Sequence, residues 1–282
     1  MQIYIDGTFF SEAEAKISVF DHGLLYGDGI FEGIRFYKRI PFYLEEHLTR
    51  LFQSAKALLL NIPLDREALK KAVLETIQKN EFQDGYIRLL VTRGKGSLGL
   101  NPDSCPHSSL IIIADKVRFY SQELYEKGIS IITCATRRIG HGALSPRIKS
   151  LNYLNNVFAK QEALRAGVDD GLMLNEEGLV AECTGANIFI VVQGELLTPS
   201  LECGALAGIT RALVIKLAKE LEITIKEIPL TCYDLYTAEE CFLTGTAVEI
   251  IPVTHLDQRV IGDGISRSIT RQLMEKFHKL TQ

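Results

Sequence analysis

Two residues stand where their types could do chemistry together. Lys149 lies in Arg147-Ile148-Lys149-Ser150-Leu151-Asn152-Tyr153, and 33 residues later Glu182 lies in Leu179-Val180-Ala181-Glu182-Cys183-Thr184-Gly185. A lysine amine condenses with an aldehyde, and a carboxylate can hold a pyridine nitrogen protonated so that the ring accepts electrons. Pyridoxal phosphate (PLP) asks a protein for that pair. Alone the pair proves nothing, because most lysines and glutamates are solvated surface charges. The segments around and beyond them have to decide.

A phosphate would need its own partners. Gly208-Ile209-Thr210-Arg211 opens an amphipathic helix, whose unpaired N–H groups and dipole suit an anion; an ordinary helix start is the plain alternative. Arg50, in His47-Leu48-Thr49-Arg50-Leu51-Phe52, is either a surface residue or a guanidinium clamp for phosphate. In Leu243-Thr244-Gly245-Thr246-Ala247-Val248-Glu249-Ile250, small residues interrupt a strand and let the backbone approach a ligand, or mark a bulge. The glycine-rich run Arg93 to Pro102 fails the spacing of a nucleotide loop, and Gly27-Asp28-Gly29 lacks the third glycine of a dinucleotide fingerprint. The six histidines form no metal-binding spacing, so no metal is expected. Ser145, four residues before Lys149, does not fit a Ser-x-x-Lys nucleophile.

Bulk properties narrow the class. The 282 residues suffice for one large domain or two modest ones, and 46% apolar content allows a sizeable core. A net charge of −4 without a basic tail argues against nucleic acid as the main partner. There is no secretory pattern in Met1 to Gly7 and no apolar run of about 18 residues, so no membrane span is expected. Six scattered cysteines without a Cys-x-x-Cys pair read as idle thiols in a reducing cytoplasm.

Hydrophobic periodicity then places these residues on elements. Met1 to Ile5 and Lys16 to Phe20 alternate as strands. Phe31 to Tyr37 and Pro41 to Tyr43 flank a turn at Lys38-Arg39-Ile40. Leu44 to Leu60 and Arg66 to Asn80 have helical spacing, with Asp65 as N-cap of the second. Gly85 to Thr92 and Ser108 to Ala114 read as buried strands. Further strands are expected at 129–134, 171–174, 179–181, 187–192, 195–198, 223–227, 239–243 and 248–253. Helices are expected at 153–166, 208–221 and 263–280. These elements describe a mixed α and β chain of two domains: 1–115, a connector at 116–124, and 125–282.

Both chemical runs, with Tyr26-Gly27-Asp28-Gly29-Ile30-Phe31-Glu32-Gly33-Ile34-Arg35 and Gly245-Thr246-Ala247-Val248-Glu249-Ile250-Ile251-Pro252-Val253, resemble the fold-type IV PLP enzymes over the whole chain. More narrowly they resemble branched-chain amino acid aminotransferases. The resemblance implies a small N-terminal α/β domain, a larger C-terminal α/β pseudo-barrel domain, and PLP between them. It implies that Lys149 forms the Schiff base and moves the substrate's Cα proton, that Glu182 pairs with the pyridine nitrogen, and that Tyr153 contacts O3′. Arg50, the Ile209 and Thr210 amides and Thr246 match the phosphate cup, and Leu206 the residue packed on the ring face. Tyr26, Phe31, Tyr86 and Tyr153 match an apolar substrate pocket. Arg88 matches the group that receives glutamate's side-chain carboxylate, and the Thr246 and Ala247 amides match the binder of the α-carboxylate. Leu98 and Leu100 match a loop that walls the pocket of a partner copy, so a homodimer is implied. The expected reaction is transfer from L-leucine, L-isoleucine or L-valine to 2-oxoglutarate. Two relatives remain alternatives, a D-amino acid aminotransferase, whose lysine-to-tyrosine spacing is close to this one, and an aminodeoxychorismate lyase.

Overall fold

The structure, a computed structural model, describes residues 1–116, 120–265 and 267–282. The chain divides into two compact units, Met1–Val117 with Ile148–Asn152, and Arg118–Arg147 with Tyr153–Gln282. The fold is mixed α/β, as expected.

The first unit contains β1 (Gln2–Ile5), β2 (Thr8–Ser11), α1 (His22–Tyr26), β3 (Gly29–Tyr37), β4 (Ile40–Pro41), α2 (Leu44–Ala57), α3 (Arg66–Lys79), β5 (Gly85–Thr92) and β6 (Ser109–Asp115). Its six strands form one antiparallel sheet in the order β2-β1-β6-β5-β3-β4. Strand alternation gives the sheet two faces. Ile30, Ile34 and Phe36 of β3, with Ile87, Leu89 and Val91 of β5, are fully buried in one core with Leu48 and Leu51 of α2 and Leu69 and Val73 of α3. Asp65 caps α3, its carboxylate accepting the Ala68 N–H at 2.8 Å. Lys38 and Arg39 turn β3 into β4 in left-handed conformations (φ 49° and 65°), the geometry of a tight two-residue hairpin.

The second face of β3 carries Phe31 and Gly33. It gains a neighbour from far along the chain. The Phe31 N–H donates to the Lys149 carbonyl and the Leu151 N–H to the Gly29 carbonyl, both at 2.9 Å, and Ile30 lies opposite Ser150. Residues 148–152, placed by the sequence in the second domain, therefore pack with the first. By the same alternation Lys149 shares a face with Phe31.

The second unit contains α4 (Gln122–Lys127), β7 (Ile129–Thr133), α5 (Leu154–Arg165), β8 (Asp170–Leu174), β9 (Val180–Cys183), β10 (Asn187–Val192), β11 (Glu195–Thr198), α6 (Ile209–Glu220), β12 (Ile225–Glu227), α7 (Cys232–Tyr236), β13 (Glu240–Gly245), β14 (Glu249–Leu256), β15 (Arg259–Val260) and α8 (Ser268–Thr281). A nine-stranded mixed sheet runs β12-β11-β10-β13-β14-β7-β8-β9, with β15 on β14. It curls, so that β9 also meets β10 through a tight turn in which the Cys183 N–H donates to the Ala186 carbonyl at 2.9 Å. Strands β8, β9 and β10 are almost wholly buried, which explains the apolar run Ile188 to Val192 in β10.

Several expectations fail for local reasons. Lys16 to Phe20 is no strand; Ile17, Val19 and Phe20 are exposed and the span has no ladder partner among the described residues, while Thr8–Ser11 takes the place beside β1. Part of the expected connector is the helix α4, and residues 117–119 of it lie outside the described residues. The last helix starts at Ser268 rather than Asp263, because Gly264 (φ 75°) breaks the run and the Asp263 carboxylate accepts the Ile265 N–H at 2.7 Å. The short helices α1 and α7 fall below the length at which apolar periodicity is readable. Among the described residues no helix is long and apolar enough to cross a membrane.

Candidate active site

In the first unit the expected reactive group is the Lys149 amine. Its Nζ lies 4.5 Å from the centroid of the Phe31 ring. The Arg88 guanidinium carbon lies 4.6 Å from the same centroid and 5.5 Å from that of Tyr86. Strand register explains this grouping. Arg88 on β5 is opposite Gly33 on β3, two residues from Phe31, so both side chains stand on one face. Gly33 is required there, because a Cβ would sit 1.7 Å from the Tyr86 hydroxyl. Lys149, Phe31, Tyr86 and Arg88 thus form an aromatic floor carrying one amine and one guanidinium.

Arg50 stands on the helix side of β3. Its Nε donates to Glu32 Oε1 at 2.8 Å and its Nη2 to Oε2 at 2.7 Å, while His47 Nδ1 meets Oε2 at 2.7 Å. Glu32 is completely buried. Burial alone would raise its carboxyl; the Arg50 guanidinium and His47 outweigh that and hold it at about 2. Burial pushes His47 below its ordinary value, so a neutral ring donates its Nδ1 hydrogen to the carboxylate.

Tyr26 joins α1 to the Lys95–Leu100 loop. Its hydroxyl accepts the Gly99 N–H at 2.9 Å, and His22 Nε2 reaches the Ser97 carbonyl at 2.9 Å. Leu98 and Leu100 on that loop are 71% and 81% exposed, so this unit does not enclose them.

In the second unit Glu182 on β9 is nearly buried. Its Oε1 pairs with Arg138 Nη2 at 2.7 Å, and its Oε2 accepts from Asn187 Nδ2 at 3.1 Å and from the Leu206 N–H at 3.0 Å. Asn187 Nδ2 also donates to the Leu206 carbonyl at 3.0 Å. Two residues on, Gly208 leads into α6, and a Cβ there would lie 2.0 Å from Asn187 Oδ1. The N-cap of α6 is Gly208, which has no side chain to cap it, and the amino end formed by Ile209 and Thr210 carries backbone N–H groups of the kind that suit an anion. Thr246 and Ala247 lie in the hairpin loop between Gly245 and its partner Glu249, half-buried. Tyr153 is the residue before α5, its carbonyl accepting the Val157 N–H at 2.9 Å.

The donor set fits PLP: a lysine amine, a buried carboxylate with acceptor capacity left, and a helix amino end. The structure groups Lys149 with Phe31, Tyr86 and Arg88, and Glu182 with Leu206, two residues before the Gly208 that leads into α6. Four residues bonded into these groups were not singled out from the sequence: Glu32, His47, Arg138 and Asn187. Glu32 carried a signal, a charge on the apolar face of the alternation Ile30, Glu32, Ile34, Phe36, which demands a buried partner. Arg138, beside Arg137, reads as surface charge in sequence. No metal-binding cluster occurs among the described residues.

Residues 29–256 match the family model described as amino-transferase class IV. A Methanocaldococcus jannaschii protein named "Putative branched-chain-amino-acid aminotransferase" is 52% identical over 277 residues, 98% of this chain and 95% of that protein. The crystal structure of Escherichia coli branched-chain amino acid aminotransferase has 35% identity and a TM-score of 0.96, over 100% of this chain and 94% of that one. The Thermobaculum terrenum branched-chain amino acid aminotransferase, solved in its PLP form, has 30% identity and a TM-score of 0.89, over 99% and 93%. The chain belongs to the class IV aminotransferases. Within that family it groups with the branched-chain-amino-acid aminotransferases.

Proposed function

We propose that this aminotransferase moves the amino group of L-leucine, L-isoleucine or L-valine to 2-oxoglutarate, giving branched 2-oxo acids and L-glutamate. Its cofactor is pyridoxal phosphate, which when bound carries the amino group between donor and acceptor and draws electrons from the donor's Cα. The observation that supports the reading best is the shared Phe31 ring, with the Lys149 amine at 4.5 Å and the Arg88 guanidinium at 4.6 Å.

That floor accounts for two kinds of side chain. A leucine-like chain packs on Phe31 and Tyr86, with Tyr26 completing the apolar surface. A glutamate-like chain reaches Arg88, whose fork suits a carboxylate. With the cofactor bound, Lys149 would anchor it and would serve as the base that moves the proton at the substrate's Cα. Glu182 would pair with the ring nitrogen, Tyr153 would meet O3′, and Leu206 would cover the ring face. Arg50, the Ile209 and Thr210 amides and Thr246 hold the phosphate, with Glu32 and His47 fixing the Arg50 fork. The Thr246 and Ala247 amides bind the α-carboxylate.

The exposure of Leu98 and Leu100 supports assembly as a homodimer, in which each loop walls the partner's pocket. The six cysteines are all free, in keeping with a cytoplasmic enzyme. The test is glutamate formation from 2-oxoglutarate with L-leucine and D-alanine as parallel donors. Transfer from L-leucine alone is expected. Transfer from D-alanine instead would overturn the substrate assignment.

A further inference from the structure

Glu182 has a partner that the transamination reading leaves without a role. An ionised carboxylate offers about four acceptor positions. Oε2 takes Asn187 Nδ2 and the Leu206 N–H, and Oε1 takes the Arg138 guanidinium at 2.7 Å, which leaves one position on Oε1. Arg138 is pinned as firmly. Its Nε donates to the Gly204 carbonyl at 3.1 Å and its Nη1 to Asn156 Oδ1 at 2.9 Å. Asn156 is oriented in turn, its Nδ2 donating to the Thr184 carbonyl at 2.8 Å. Arg138 and Glu182 are only 6% and 5% exposed, so each is the other's counter-charge in a place with little water.

A guanidinium keeps its charge at any working pH. At 2.7 Å it favours negative charge on Glu182 more than it would oppose positive charge on a group that Glu182 in turn binds, since the interaction falls with distance. We propose that Arg138 is a positioning residue that acts on Glu182 through its positive charge, so that the proton shared with the ring nitrogen of pyridoxal phosphate stays on the nitrogen. This rests on the reading of Glu182 as that nitrogen's partner. With Arg138 present the nitrogen carries the proton and Glu182 the negative charge. Without it the proton passes to Glu182 and both become neutral, weakening the ring as an electron acceptor.

The experiment reconstitutes wild type, Arg138→Gln, Arg138→Lys and Glu182→Gln with PLP labelled with 15N in the ring, and reads the nitrogen's chemical shift beside half-reaction kinetics with L-leucine. Wild type and Arg138→Lys are expected in the protonated range. Arg138→Gln is expected in the unprotonated range, with a lower kcat and little change in KM. A protonated signal in Arg138→Gln overturns the proposal. If that variant does not fold, an unprotonated signal in Arg138→Lys overturns it, because geometry rather than charge would then set the proton. Glu182→Gln separates the two readings. A nitrogen unmoved by that change removes Glu182 from its role, and the proposal with it; a nitrogen moved by Glu182→Gln but not by Arg138→Gln overturns the Arg138 proposal alone.

Discussion

Replacing Glu32 by glutamine removes one charge from a completely buried cluster and little else. The glutamine keeps the shape and mimics the protonated acid, so the cost follows from how strongly the site prefers the anion. Glu32 is held at about 2 against its ordinary 4.5. At about 1.4 kcal/mol for each tenfold in proton affinity, that preference is worth about 3 kcal/mol. An independent figure agrees, since breaking a buried ion pair by removing one partner costs roughly 3–5 kcal/mol. Urea unfolding of the apoprotein at pH 7 is expected to show Glu32→Gln destabilised by about 3 kcal/mol, with Arg50→Met and the double variant closing the cycle. The sign with pH follows from the depressed values. The contribution from Glu32 is fully present above pH 4.5 and is lost as pH falls toward about 2. His47, also depressed, begins to draw stability down below its ordinary 6.5. A loss below about 1 kcal/mol for Glu32→Gln, or additive single and double variants, would refute the coupling of Glu32 to Arg50.

Two changes probe the proposed substrate floor. Arg88→Gln is expected to lower kcat/KM for 2-oxoglutarate by about 10–100-fold, the worth of a charge-assisted hydrogen bond, while the L-leucine half-reaction stays within about threefold; an equal fall in both would show that Arg88 only supports the fold. In Gly33→Ala the new Cβ must displace the Tyr86 hydroxyl, 1.7 Å from it. Overpacking of this kind costs about 1–3 kcal/mol, so kcat/KM for L-leucine should fall about tenfold or more; an unchanged value would mean that Tyr86 does not shape the pocket.

The elements that carry the site were largely legible, because their signals are local. Alternation in β3 and β5 and helical spacing in α2 and α6 are written in consecutive residues, and Asp65 announces its helix by one cap. Long-range partners were not legible. Lys149 reaches the first unit through a short ladder of backbone bonds to Gly29 and Phe31, which leaves no side-chain pattern. Arg138 looks like half of a surface Arg137-Arg138 pair until the fold buries it against Glu182, 44 residues on. Glu32 could have been found, since a carboxylate in an apolar register requires a cation, but not which one. Lys16 to Phe20 misleads because alternation describes a chain that could form a strand, and a strand also needs a neighbour.

The central claim is that the Lys149 amine is the group to which pyridoxal phosphate attaches. Borohydride reduction of the PLP-loaded protein, followed by proteolysis and mass spectrometry, tests it directly. The phosphopyridoxyl mass is expected on the peptide bearing Lys149 and absent from the Lys149→Ala protein, which should also form no glutamate from L-leucine. A tag on another lysine, or turnover retained in Lys149→Ala, would contradict the account.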